Sequence, residues 1–502
     1  MTTTTVTLGV DIGTSSTKGV LVDPTGTLVA ATTRSHRPQR PRPGHVEMDA
    51  ELWWGEFVDI AKELVSTNPD CAIAAVGVSG MGPCVLLTDE HDRPLRPAIL
   101  YGVDTRATDQ IAQLTKRYGQ DVILQRCGSA LTSQAVGPKL AWVAQEEPEV
   151  FTRARRLYMP SSWLVRHLTG EYVLDQHSAS QCTPMYDAAA GTWLQPWADE
   201  LAGGIELPAL KWSDAVAGTI TANAAAQTGL PEGVPVLTGT IDAWAEQVSV
   251  GAVRPGDLML MYGTTMFLVL TVDQPLHDVS LWGTAGVFAG THCLAGGMAT
   301  SGAITGWLAD LTGADHATLM AEASQSAPGS TGLLTLPYFA GERTPIMDPD
   351  ARGVVAGLTL GHTRGDLYRS ALEATAFGVR HNLEAFEAAG GRIDRIVAVG
   401  GGAQQDVWPQ IVTDVTGREQ VIPSVTIGAA YGDAYLAARA LGSADIDQWN
   451  PPAGTCRPQS APQTTYDRLY PLYRDLYLAS RDVVHALTRF QHDASDASHQ
   501  ED

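Results

Sequence analysis

Two short stretches of this chain carry residues able to hold phosphate and move a proton. In the first, Asp11 closes an apolar run, residues 6–12, and Gly13-Thr14-Ser15-Ser16-Thr17-Lys18 turns the chain into a second apolar run, residues 20–22. Small hydroxyl residues and free backbone N–H groups at a tight turn can cradle a phosphate. An acid beside the turn can hold a divalent cation through water, the mode Mg²⁺ favours. No Gly-Lys-Ser/Thr closes this turn onto a helix, so it is not a Walker loop. Taken alone it fits an ordinary polar hairpin equally well. The second stretch, Gly239-Thr240-Ile241-Asp242-Ala243-Trp244, places an acid at the end of another apolar run. Phosphoryl transfer to a hydroxyl needs a base within hydrogen-bond reach, and a carboxylate can serve. An Asp there is equally a good helix N-cap.

The elements that must position these groups alternate between strand and helix. Strands are expected over residues 6–12, 20–22, 73–79 and 85–88. A helix is expected over 50–66, where Leu52, Trp53, Phe57, Ile60, Ala61 and Leu64 recur near a period of 3.6. Shorter helical patterns cover 140–145 and 162–168. The chain restarts near residue 236, and residues 258–271 repeat the opening pattern as strand, Gly263-Thr264-Thr265 turn and strand. Two such hairpins, one per domain, can grip a polyphosphate from both sides, although Gly-Thr is also a common turn pair. The last third gives a strand at 395–399 running into Gly400-Gly401-Gly402-Ala403. Helices follow at 407–416, 428–441 and 466–489, then a polar tail, 491–502, expected to be disordered.

This alternation argues for α/β layers, and 502 residues exceed what one hydrophobic core serves. The expected division is 1–241, 242–490 and the tail. A net charge of −22 argues against nucleic acid as a partner but not against a nucleotide held by backbone and metal. The six cysteines are scattered without a CxxC pair, which argues against a zinc site or disulfide framework and for a reducing compartment. The N-terminus lacks the basic and apolar segments of a signal peptide, and no apolar run reaches membrane-spanning length. A cytoplasmic protein with no membrane association is expected.

From about residue 6 to 490 the chain resembles the FGGY family of carbohydrate kinases, in the actin/hexokinase/Hsp70-like superfamily. The strongest likeness is Gly353 to Glu373, with Gly353, Val355, Gly357, Leu358, Asp366, Leu367, Ser370, Leu372 and Glu373 at the spacing of the family's C-terminal signature. Residues 336–353 resemble its Gly-Glu-Arg-Thr-Pro segment, and Lys139, Leu140, Trp142, Val143, Gln145 and Glu146 its N-terminal signature.

The resemblance implies two ribonuclease-H-like (actin-like ATPase) domains with a cleft between them. It further implies an ATP- and Mg²⁺-dependent kinase for a primary hydroxyl of a small sugar, a ketopentose such as xylulose. By this likeness Asp11 is the metal-associated acid and Asp242 the catalytic base, also on the metal side. Thr14, Ser15, Ser16 and Lys18 line the phosphates, and Gly263, Thr264 and Thr265 form the second phosphate motif. Gly302 borders the nucleotide, and Gly401, Gly402 and Asp406 fall on the adenosine motif. A homodimer is the family-level expectation.

The sugar side departs from the subfamily patterns. In the loop Gly80-Met81-Gly82-Pro83-Cys84, xylulose kinases usually have Met-His where Gly82 and Pro83 stand, and glycerol kinases Arg-Glu. Ala243 stands where these carry Asn or Gln. Met81, Gly82, Pro83 and Ala243 therefore mark the sugar site without supplying its polar groups. Gln134, Asp104, Arg106 and Trp244 are the candidate replacements, Asp104 and Arg106 being equally readable as an ion pair fixing a loop. Another ketose, a polyol or a sugar acid is an alternative substrate. A nucleotide-dependent sensor without activity is the alternative of a different class, against which the retained Asp11, Asp242 and both turns argue.

Overall fold

The computed structural model describes residues 3–442 and 444–498. They form two compact α/β units, neither of them a single stretch of sequence. The first runs to Pro255 and adds Thr271–Cys293 and Val425–Pro451; the second comprises Gly256–Leu270, Leu294–Ser424 and the chain from Pro452 onward.

In the first unit the strand Thr4–Ile12 lies in the middle of a sheet. It pairs antiparallel with Ser16–Val22, which pairs antiparallel with Leu28–Ser35. On its other side it runs parallel to Cys71–Gly80, followed by Pro235–Leu237 and, antiparallel at the edge, Val216–Thr219. Val6, Leu8, Val10 and Ile12 are all buried, as are Thr7 and Gly9 between them. Burial on both faces requires helices on both. Helix Ala50–Thr67 covers one face with Trp53, Phe57, Ile60, Ala61 and Leu64, and Asp49 caps it by accepting the Glu51 N–H at 3.0 Å. Helix Ala429–Ala440 covers the other, seated so closely on Gly9 and Gly77 that a side chain at either would strike its backbone.

In the second unit His292–Met298, Met266–Val272, Asp257–Tyr262, Arg395–Val399, Gln420–Pro423 and Pro452–Cys456 lie side by side in that order. Asp257–Tyr262 is antiparallel to Met266–Val272 and parallel to Arg395–Val399, and the final pair is antiparallel. The repeated hairpin of the sequence thus lies on both occasions within a seven-stranded sheet, as expected for paired ribonuclease-H-like domains.

Two boundaries differ from the sequence expectation. A cut at 241/242 would remove helix Asp242–Ser249 from the first unit, to which it belongs. Helix Ala429–Ala440 returns to pack on it, with Gly432 directly against the Ala245 carbonyl, and this brings residues 425–451 into the same unit. The last helix runs Ser460–Ser498 rather than 466–489, because each added residue of a nucleated helix gains a hydrogen bond even where the side chains are polar. The expected disordered tail, 491–502, is therefore helical as far as Ser498, and its end, residues 499–502, lies outside the described residues. Among the described residues no helix is long and apolar enough to cross a membrane.

Candidate active site

Asp11 sits at the carboxyl end of the central strand, in register with Ser79 on the neighbouring strand. The short strand Thr240–Ile241 pairs parallel with Ser79 and Gly80 and delivers Asp242 as the first residue of helix Asp242–Ser249. Carboxyl ends of adjacent strands are where open α/β sheets bind ligands. Glu246 follows one helical turn after Asp242. From below, Asp433 accepts the Ser79 hydroxyl at 2.6 Å, and the same hydroxyl lies 3.0 Å from Asp11 Oδ1. Lys18, opposite Asp11 in the hairpin, gives its ammonium to the Ile427 carbonyl at 2.9 Å.

These carboxyls hold their protons unusually well. Burial first, then the charge of Asp242, pushes Asp11 up to about 8. Burial raises Asp242 to about 6 against the pull of the Ala243 N–H, which its Oδ1 accepts at 2.7 Å. Glu246 rises to about 7, mainly through burial, and burial holds Asp433 well above the carboxylate range. Asp242 is not the helix N-cap; that position is Ile241, and among the described residues the Asp242 carboxylate bonds the next amide alone.

The Gly13 turn is closed by the Gly13 N–H to the Ser16 carbonyl at 2.9 Å, with the Thr14 hydroxyl 3.0 Å from Tyr101 and Ser15 exposed. His36 braces it from behind. One ring nitrogen meets the Gly13 carbonyl and the other Glu56, both at 2.9 Å, and Glu56 also accepts the Thr17 hydroxyl at 2.5 Å.

In the second unit the Gly263-Thr264-Thr265 turn closes by the Gly263 N–H to the Thr265 carbonyl at 3.1 Å. The amides of Ser301, Gly302 and Ala303, at the start of helix Gly302–Thr312, donate to the carbonyls of Thr264 and Gly263 at 3.0–3.1 Å. A Cβ on Gly302 would lie 2.7 Å from the Gly263 carbonyl oxygen, which is why a glycine stands there.

Also in the second unit, a cavity of about 450 Å³ is lined by Gly401, Gly402, Thr305, Met320, Tyr368 and Trp408, among others. Asp406 is exposed and not part of this lining. Gly402 is pressed by the Trp408 ring, 2.7 Å from where a Cβ would be, whereas a Cβ on Gly401 would meet nothing. Gly401→Val is therefore expected to fold with an unchanged melting temperature yet raise about tenfold the KM for the ATP that the resemblance implies, a cost of roughly 1.4 kcal/mol. An unchanged KM for ATP would remove Gly401 from the nucleotide site.

The sugar-side residues meet different fates. Met81 is buried, its N–H donating to the Ile12 carbonyl at 2.7 Å; Pro83 is buried, and Gly82 lies where a Cβ would come within 2.7 Å of Ile241. Asp104 and Arg106 form an enclosed ion pair at 2.7 Å, neither side chain having exposed surface. Asp104 also accepts the Val46 N–H at 2.6 Å and Arg106 reaches Glu47 at 2.7 Å, so of their two readings the structure displays the loop-fixing one. Gln134 ties the same loop by accepting the Gly102 N–H at 2.9 Å. Ala243 is half-buried beside Asp242, and buried Trp244 lies against His177 with ring centroids 3.7 Å apart. The sequence reading did not single out Ser79, Glu246, Asp433 or the His36–Glu56 brace. Glu246 has a signal in its helical spacing from Asp242, and Asp433 in being a lone acid within a small-residue helix. The brace has none.

The models of the FGGY family of carbohydrate kinases match this chain over residues 6–249 for the N-terminal domain and 258–441 for the C-terminal domain. A two-domain α/β kinase with an acid at the strand ends of its first sheet and a Gly-Thr turn in each unit is the class that fold and site define. The chain belongs to the FGGY family of carbohydrate kinases. It is 30% identical to the xylulose kinase of Escherichia coli (strain K12) over 86% of this chain and 89% of that one. The crystal structure of xylulose kinase from Rhodospirillum rubrum superposes with a TM-score of 0.90 at 33% identity, covering 96% of this chain and all of that one. The gluconokinase of Bacillus subtilis (strain 168) is 27% identical over 87% of this chain and 88% of that one. The chain is thus a sugar kinase, with ATP the phosphoryl donor that its family implies.

Proposed function

We propose that this kinase transfers the γ-phosphoryl group of ATP to a primary hydroxyl of a ketopentose, with xylulose the first candidate. The observation that carries the chemistry is Asp242, a strand-end carboxylate whose burial leaves it a base near neutral pH. The xylulose kinases of Escherichia coli and Rhodospirillum rubrum, at 30% and 33% identity, support the substrate. Asp242 takes the hydroxyl proton as the sugar oxygen bonds to the γ-phosphorus. The bond from that phosphorus to the β–γ bridging oxygen breaks, and ADP leaves. In the first unit Thr14, Ser15 and Ser16 offer hydroxyls and amides to the phosphates, and in the second Thr264 and Thr265 form a turn of the same kind. The cavity at Gly401 and Gly402 takes the adenine. Unpaired cysteines throughout suit a cytoplasmic enzyme.

The residues present fit Mg²⁺. Among the described residues no three His, Cys, Asp or Glu groups converge to cage a metal, but Mg²⁺ keeps most of its waters and needs only one or two carboxylates. Asp11 and Asp242 supply those, and among the described residues the buried Asp433 Oδ1 has no hydrogen-bond partner, a polar atom left open beside them. When bound, the ion would neutralise charge on the transferring phosphoryl group.

A sugar acid is the second reading, favoured by the gluconokinase likeness. ADP release, coupled to a dehydrogenase and measured with D-xylulose, D-ribulose, gluconate and glycerol, separates them. Xylulose should give the highest kcat/KM; a preference for gluconate would overturn the ketopentose assignment.

A further inference from the structure

Asp433 is a buried carboxylate that the proposed chemistry leaves unused. It stands alone as an acid in helix Ala429–Ala440 and has no exposed surface. Its Oδ2 accepts the Ser79 hydroxyl at 2.6 Å, while Oδ1 is buried without a hydrogen-bond partner among the described residues. Ser79, itself fully buried, is the register partner of Asp11 and lies 3.0 Å from it. A hydroxyl has one proton, so Ser79 can satisfy only one of the two carboxylates at a time.

Burial holds Asp433 to its proton, and a buried polar atom with no partner is rare in a native fold. Among the described residues no Lys, Arg or His forms an ion pair with Asp11, Asp242, Glu246 or Asp433; Lys18 donates to the Ile427 carbonyl, and its charge reaches Asp11 and Glu246. The one hydrogen bond of Asp433 leads instead to the acid on the metal side.

We propose that Asp433 is a positioning residue for divalent-cation binding, acting through Ser79 to orient Asp11 so that the site can take up a cation before nucleotide arrives. Groups behind a metal-side carboxylate fix its orientation, and their removal typically costs 10–100-fold in affinity. The inference rests on the reading of Asp11 as the metal-associated acid. Were Asp433 only a partner that seats the helix on Ser79, an amide would serve equally, since its oxygen accepts the same hydroxyl.

The test titrates the nucleotide-free, full-length protein with Mn²⁺ alone and reads the free ion by electron paramagnetic resonance. Asp433→Asn should weaken Mn²⁺ binding at least tenfold, with a melting temperature in metal-free buffer no lower than that of the unmodified protein. Ser79→Ala leaves both carboxylates and breaks the link between them; it should show the same loss and supplies the readout should the Asn variant fail to fold. Unchanged Mn²⁺ affinity in either folded variant, or no Mn²⁺ uptake by the unmodified protein without nucleotide, would overturn the proposal. Asp11→Asn tells the two failures apart. If it also binds Mn²⁺ normally, the reading of Asp11 is wrong; if it alone loses the ion, only the role of Asp433 falls.

Discussion

Asp242→Asn is expected to lower kcat for sugar phosphorylation by about 10²–10⁴-fold, the usual contribution of a general base, while KM for ATP stays nearly unchanged. The amide keeps the size of the carboxylate and can still accept the Ala243 N–H that Asp242 Oδ1 accepts, so the fold around it has no cause to shift. What it loses is the ability to take the hydroxyl proton. The same assignment sets the pH dependence. Burial raises Asp242 from 3.8 to about 6, and the charged form is the active one. Activity is therefore present above pH 6 and lost as pH falls through it. For the unmodified enzyme kcat/KM should rise with unit slope to a plateau, centred near pH 6 rather than near 4. The Asn variant's residual rate should lack that limb. A near-normal rate in the variant, or an unmodified rate flat between pH 5 and 7, would remove Asp242 as the base.

The parts of the site legible in the sequence are those that local chain geometry settles. Asp11, its turn and Lys18 lie within one hairpin, where alternating apolar residues and a run of small hydroxyls determine strand, turn and register together. Asp242 is readable for the same reason, as an acid at the end of an apolar run. The resemblance carried the two-domain architecture beyond what strand counting could give.

Illegible are contacts between segments far apart in the chain. Ser79 and Asp433 are separated by 354 positions, and nothing in a helix of alanines and tyrosines says which sheet it will cover. The domain boundary was misplaced by the same return of the chain, because a linear cut cannot represent residues 425–451 rejoining the first unit. For Asp104 and Arg106 the sequence permitted an ion pair or a sugar contact. Enclosure of both side chains and the reach to Glu47, nearly sixty positions upstream, are tertiary facts.

That returning helix gives the largest stability effect the structure predicts. Gly9 and Gly77 face one another across adjacent strands. A methyl group on Gly77 would fall on the Asp433 carbonyl oxygen and lie 2.7 Å from the carbonyl carbon; one on Gly9 would fall on the Ala430 carbonyl oxygen and lie 2.5 Å from the Ala434 nitrogen. Backbone atoms cannot swing aside as a side chain does, so the helix must lift. Lifting stretches the Thr7 hydroxyl's bond to the Ala434 carbonyl, 2.9 Å, and the Ser79–Asp433 bond, 2.6 Å. Gly77→Ala should cost about 3 kcal/mol, the upper range for overpacking, and lower the melting temperature by roughly 6–12 °C. Gly55→Ala is the contrast: it lies within helix Ala50–Thr67, a Cβ there meets nothing, and the higher helix propensity of alanine should stabilise by about 0.5–1 kcal/mol. Calorimetry of the two variants decides the matter. Should Gly77→Ala melt with the unmodified protein, helix Ala429–Ala440 does not rest on this strand, and the link from Asp433 to Asp11 goes with it. A lowered melting temperature together with weaker divalent-cation binding would show that the closeness of helix to sheet also sets the metal-side acid in place.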